Sequence, residues 1–108
     1  MAKDGVGTYE YYFTNGQKQF EIAFQKGVLH GVMRRWNMEG QLILEQNYAH
    51  DVLEGRSKRW FDNGLPREDA FYIDNKLHGE YVQYTEDGKI AMRAKFKDGQ
   101  IVQDSVRS

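Results

Sequence analysis

The sequence predicts an all-β fold: a single twisted antiparallel meander of about eight strands, built from four 24-residue β-hairpin repeats. Three observations predict it. Gly7, Gly31, Gly55 and Gly79 recur every 24 residues, and nine residues after each stands a second glycine, at Gly16, Gly40, Gly64 and Gly88. Aromatic residues fill two columns of the same lattice, Tyr12, Trp36, Trp60 and Tyr84 at offset five, and Phe24, Tyr48, Tyr72 and Phe96 at offset seventeen. Gly27, Asp51, Asn75 and Gly99, residue types that tolerate a left-handed backbone, stand at offset twenty, followed two residues later by Leu29, Leu53, Leu77 and Ile101. A fixed period of this length marks a repeat architecture. The units run 7–30, 31–54, 55–78 and 79–102 within one domain spanning 1–108.

Residues 1–6 read as a short polar lead-in. In each unit the segment after the leading glycine, such as Glu80 to Tyr84, is short and rich in β-forming residues, which makes it a strand. Thr14-Asn15-Gly16, Asp62-Asn63-Gly64 and Glu86-Asp87-Gly88 suit a three-residue hairpin loop closed by a left-handed glycine. That loop length sets Trp36 against Leu42, Trp60 against Pro66 and Tyr84 against Ile90. The second strand alternates, as in Lys18, Phe20, Ile22 and Phe24 against Gln19, Glu21 and Ala23. Pro66, the sole proline, opens its strand, where a missing amide is tolerated. The second turn (Gln25-Lys26-Gly27, Asp74-Asn75-Lys76, Lys97-Asp98-Gly99) is another tight reversal whose length the residues leave open. With three residues the tryptophan row faces the core; with four, Tyr9, Met33 and Tyr81 do, and a bulge reconciles the two. Short connections permit only antiparallel neighbours, and the lattice glycines interrupt every candidate helix. One layer cannot bury both faces, so the aromatic face lines a groove or closes a homodimer.

Composition narrows the function classes. The chain has 108 residues, 40% hydrophobic and 29% charged, the profile of a soluble globular domain. Fifteen basic against sixteen acidic residues, a net charge of −1, argue against a dedicated nucleic-acid binder. There is no cysteine, hence no disulfide framework, thiolate metal site or cysteine nucleophile. The N-terminus lacks the apolar run of a signal peptide and no segment has the roughly 20 apolar residues of a membrane span, so a cytoplasmic protein is expected.

The chemistry-bearing residues do not assemble a catalytic site in this register. His30 and His78 share a repeat offset, but four strand spacings of about 4.8 Å separate them by roughly 19 Å, too far for one metal ion. His50 falls in a turn. Ser57, Ser105 and Ser108 lie on no nucleophile elbow, and Glu68 and Asp69, as neighbours on a strand, point to opposite faces. The glycines form no phosphate cradle. Neither enzyme activity nor a metal or cofactor is expected. A basic run does stand out: Arg34, Arg35, Arg56, Lys58 and Arg59 on the first strands of units two and three, with Arg67 on the strand that follows. The outer units carry Glu10 and Glu80 instead. One reading is a solvated outer face; the other is a single basic patch flanking Trp36 and Trp60 that docks an acidic partner, Arg and Trp being enriched where interface energy concentrates.

Tyr12-Phe13-Thr14-Asn15-Gly16, Trp60-Phe61-Asp62-Asn63-Gly64 and Leu77-His78-Gly79 resemble the MORN repeat family, in particular its bacterial variant, and the resemblance extends over all four units. Asp51 and Asn75 depart from it by replacing the second-turn glycine, as does Glu39 by replacing asparagine in the first turn of unit two. The resemblance implies an elongated, curved sheet of hairpins acting as a binding scaffold, and some bacterial members are labelled antitoxins or immunity proteins. The expected partner is therefore a protein, a toxin in the most concrete version, bound through Arg34, Arg35, Trp36, Arg56, Lys58, Arg59 and Trp60. Binding of anionic lipid headgroups and a structural assembly module are the rivals, the first weakened by the near-zero net charge.

Overall fold

The computed structural model describes residues 7–102. Its strands are β1 (Gly7–Tyr12), β2 (Lys18–Gln25), β3 (Val28–Trp36), β4 (Leu42–Ala49), β5 (Val52–Trp60), β6 (Pro66–Ile73), β7 (Lys76–Leu77), β8 (Gly79–Tyr84), β9 (Ile90–Lys97) and β10 (Gln100–Ile101). They form one antiparallel meander in chain order, with β7 and β8 both on β6 and the short β10 starting a further position beside β9. The described residues contain no helix. A slab of 54 × 32 × 11 Å is one sheet thick.

The first turns follow the expected chemistry. In unit one the Phe13 amide donates to the Gln17 carbonyl at 2.8 Å and the Gly16 amide to the Phe13 carbonyl at 3.0 Å, and the other units repeat both bonds. The resulting register pairs Trp36 with Leu42, Trp60 with Pro66 and Tyr84 with Ile90. At each of these turns a one-residue bulge follows on the second strand, as between Arg35 and Trp36.

The second turns are shorter than either length considered from sequence. Gln25 pairs with Val28, Ala49 with Val52, Ile73 with Lys76 and Lys97 with Gln100, so two residues make each reversal. Both have positive φ, from Lys26 (53°) and Gly27 (81°) to Asp98 (52°) and Gly99 (84°), the geometry of a type I′ hairpin. In units two and three the first strand therefore starts before its leading glycine, which lies inside it at a bulge. Ile22 pairs with Met33 and Phe24 with Leu29, leaving His30, Gly31 and Val32 opposite Ala23 alone. A Cβ on Gly31 would sit 3.1 Å from the Ala23 Cβ, so this position needs glycine for close approach as well as for its φ of 116°.

This bulge settles which face is apolar. One face carries Tyr9, Ile22, Met33, Gln46, Ser57, Ala70, Tyr81 and Ala94 in a row across the sheet. Here Leu44, Ser57, Ala70 and Tyr81 are buried, and Tyr9 and Tyr11 are more than half exposed. The other, charged face holds Trp36 and Trp60, with Lys18 Nζ 5.7 Å from the first ring and Lys58 Nζ 5.9 Å from the second. The three-residue reading, with the tryptophan row on the core side, is corrected: Tyr9, Met33 and Tyr81 take that side.

Bonds between successive turns stitch the units together. At one rim Asn15 Nδ2 donates to the Met38 carbonyl (3.1 Å), Asn37 Nδ2 to Asp62 Oδ1 (3.2 Å) and Asn63 Nδ2 to the Glu86 carbonyl (3.3 Å). At the other, the Asp51 amide donates to the Leu29 carbonyl while Asp51 Oδ1 accepts from the Leu29 amide, both at 2.8 Å. Asn75 repeats this clamp on Leu53. Asp51 and Asn75, the departures from the repeat's glycine, are thus the residues that supply the second bond.

Candidate protein-binding surface

Strand alternation divides the basic run. Arg35 and Arg59 extend from the apolar face, paired with Leu44 between them, whereas Arg34, Arg56 and Lys58 lie on the charged face with Trp36 and Trp60. The single basic patch expected from sequence is therefore two separate groups, because neighbours such as Arg34 and Arg35 cannot share a face.

Acidic residues from the second strands meet the charged-face group. A row of directly facing residues crosses the sheet as Glu10, Glu21, Arg34, Glu45, Lys58, Asp69, Val82 and Arg93. Arg34 lies 3.1 Å from Glu21 and 2.7 Å from Glu45, and Arg56 lies 3.8 Å from Asp69. Bonding to Glu45, and then to Glu21, raises the Arg34 pKa above its ordinary value. The one like-charged pair, Glu10 and Glu21, is bridged by Lys18 Nζ at 3.0 Å from each. Hydrogen bonds donated to Glu21 and Glu10 push Lys18 up to about 12, and the bonds that Glu10 accepts from Lys18 and Tyr12 hold its carboxyl below its usual range. Sequence reasoning missed these acids, although the lattice displays them: offset three reads Glu10, Arg34, Lys58, Val82, and offset fourteen reads Glu21, Glu45, Asp69, Arg93.

On the apolar face, an open groove of about 520 Å³ lies beside the first turns of units three and four. Arg35, Leu44, Arg59, Trp60, Phe61 and Arg67 line it, with Asp62 and Glu86 among its remaining lining residues. Arg59 Nε donates to Glu68 Oε1 at 3.1 Å, and the Arg67 guanidinium stands 5.5 Å over the Phe61 ring. Among the described residues neither Arg35 nor Arg67 has an acidic partner within ion-pair distance. Arg67 and Phe61 were not among the expected binding residues; the bulge after the first turn brings them in. Behind the groove, Glu68 Oε2 accepts from the Tyr81 hydroxyl and Gln83 Nε2 donates to that hydroxyl at 2.8 Å. Burial, followed by the bond to Glu68, raises the Tyr81 pKa, and burial raises that of Tyr72.

The histidines take structural positions. His30 Nδ1 accepts from the His50 amide at 3.3 Å and the two rings lie 4.9 Å apart, a pairing hidden while His30 was compared only with His78. No three His, Cys, Asp or Glu side chains converge as a metal site among the described residues, and none of their helices is long and apolar enough to cross a membrane.

The family model described as the MORN repeat variant matches residues 6–26 and 77–103. No curated protein matches the chain. The matched segments fall at the two ends of the sheet, and units two and three between them repeat the same glycine lattice, first-turn bonds and bulge register. That match supports a repeat-based binding or scaffold module. Over those two segments, 48 of its 108 residues, the chain is similar to the MORN repeat variant family.

Proposed function

We propose that this protein neutralises a partner protein, concretely a toxin, by covering it with the apolar face and its arginine-bearing groove. The observation that carries the reading is the unmatched pair Arg35 and Arg67 beside Leu44, Trp60 and Phe61. It joins guanidinium groups without an ion-pair partner, among the described residues, to an aromatic surface in one accessible groove. Of the residues expected from sequence, Arg35 and Arg59 remain in this surface; Trp60 borders the groove from the charged face, where Arg34, Trp36, Arg56 and Lys58 form a second group. Because hydrogen-bonded neighbours already hold each strand, little ordering entropy opposes association, and occlusion of a partner's active site needs no chemistry from this chain.

The test is co-expression with the product of the neighbouring gene. Growth restored by the wild-type chain, together with a purified complex, supports neutralisation; unrelieved toxicity or the absence of a complex refutes it. In that complex, Arg35→Glu with Arg67→Glu should slow association, and more strongly at low salt, while leaving thermal stability nearly unchanged, since exposed charges contribute only about 0–1 kcal/mol to folding. An unchanged association rate at low salt would move the interface to the charged face. Flotation with acidic vesicles, if positive while no protein complex forms, would favour the lipid-binding rival.

A further inference from the structure

The charged row that crosses the sheet ends in opposite signs, with Glu10 on the outer strand β1 and Arg93 on β9. Inside the molecule, each first strand is laid against the preceding second strand in one register: Arg34 on Glu21, Lys58 on Glu45, Val82 on Asp69. The next such step beyond β9 falls outside the sheet. There β10 covers only Lys97 and Phe96, and the Val102 amide reaches the Lys95 carbonyl at 2.8 Å. From Ala94 back to Ile90 the outer edge of β9 is unpaired among the described residues, and so is the outer edge of β1. Unpaired strand edges are templates for another strand.

We infer that the occupant of the β9 edge is β1 of a second copy of this chain, so that copies join head to tail into a continuous sheet. The interior register carried across the junction sets Tyr9 of the second copy opposite Ala94, Glu10 opposite Arg93 and Tyr11 opposite Met92. The charge row then continues with alternating sign, and the tyrosines extend the apolar face. Polarity also fits: β9 runs antiparallel to β8, and β1 has the direction of a first strand. Like edges do not fit. Two β1 edges bring glutamates together, and two β9 edges bring the Arg93 side chains of the two copies together. Facing like charges destabilise a ladder, whereas facing opposite charges support it. Such a contact is heterologous and leaves a free edge at each end, so it builds open chains of copies rather than a closed pair. Both faces of the sheet stay free, and the inference does not depend on the neutralisation reading.

Sedimentation velocity at rising protein concentration tests it, with the fold of each variant checked by circular dichroism. The wild-type chain should associate in steps of one copy. Glu10→Arg alone and Arg93→Glu alone should each remain monomeric, because each variant presents like charges at both of its edges. An equimolar mixture of the two variants should associate again, since every junction between unlike variants pairs opposite charges. A wild-type protein that stays monomeric throughout would overturn the inference; so would single variants that assemble like the wild type, or a mixture that stays monomeric. Should a reversal unfold the chain, Glu10→Gln and Arg93→Gln keep the test open: each should weaken association by about threefold, the scale of one cross-strand charge pair, and an unchanged association overturns the proposal equally.

Discussion

The two rims of the sheet reverse the chain by different means, and the difference explains where glycine is indispensable. At the three-residue turns the left-handed position is glycine in every unit, with φ of 91° at Gly16, 87° at Gly40, 92° at Gly64 and 94° at Gly88. At the two-residue turns, Lys26, His50, Asp51, Asp74, Asn75 and Asp98 adopt φ between 50° and 69°. The left-handed helical well open to L-residues covers only about +50° to +70°. The non-glycine residues of the second rim fall within that well, and the glycines of the first lie beyond it. Side chains therefore entered the second rim, and two of them, Asp51 and Asn75, became clamps between units.

The sharpest way to break this comparison is Gly64→Val. The new side chain would be strained at φ +92°, and its Cβ would stand 3.2 Å from Gln41 Oε1. A loss of about 1–3 kcal/mol is expected in urea melts, against a mild effect for Asp62→Ser in the same turn. Equal losses for the two variants would mean that backbone conformation does not control this rim. Next in size, Asn75→Ala should cost about 1–2 kcal/mol, because it deprives the Leu53 amide of its acceptor and puts alanine in the left-handed well. Asn75→Gly separates the two contributions. It keeps the conformation and removes only the bond, so its cost should be about half as large.

Gly99→Asn sharpens the comparison from the other side. Gly99 donates to the Leu77 carbonyl at 2.9 Å but offers no side chain to the Leu77 amide. Asparagine there should supply the missing bond and change stability by no more than about 0.5 kcal/mol, with any gain in the melting temperature marking a completed clamp. The smallest effect belongs to the interior between the rims. Folded Tyr72 and Tyr81 have raised pKa values, so their contribution is fully present below the unfolded value near 10 and is lost as pH rises through the higher folded values. Tyrosinate absorbance should show these two ionising above the ordinary tyrosine range, with stability declining over that alkaline interval.

How much was legible in advance follows from the same physics. Residue type and spacing were enough for the hairpins, the meander order and the Trp36–Leu42 register, since a left-handed glycine at a fixed offset admits few turns. The second turn was not legible: Lys26-Gly27 and Asp74-Asn75 suit loops of several lengths, and Gly31 and Gly55 look like turn residues although they occupy bulges. The facing of the tryptophans depended on that bulge. So did the basic run, whose neutralising acids lie 11 to 13 residues away on other strands, as with Arg34 and its partners Glu45 and Glu21. Arg35 and Arg59 were recognisable as chemistry, but their sharing a groove with Phe61 and Arg67 was set by the one-residue bulge after each first turn.

The clamps reach only from one unit to the next: Leu29 to Asp51, Leu53 to Asn75, Leu77 to Gly99. Reach can therefore be changed without redesign. Duplicating residues 31–54 would bring its own glycine turns, bulge and Asp51 clamp, and would lengthen the sheet by two strand spacings, about 10 Å. Such a molecule acts as a ruler graduated in whole units, whose span across a partner can change by duplication or deletion of 24 residues while every surviving junction stays as it was.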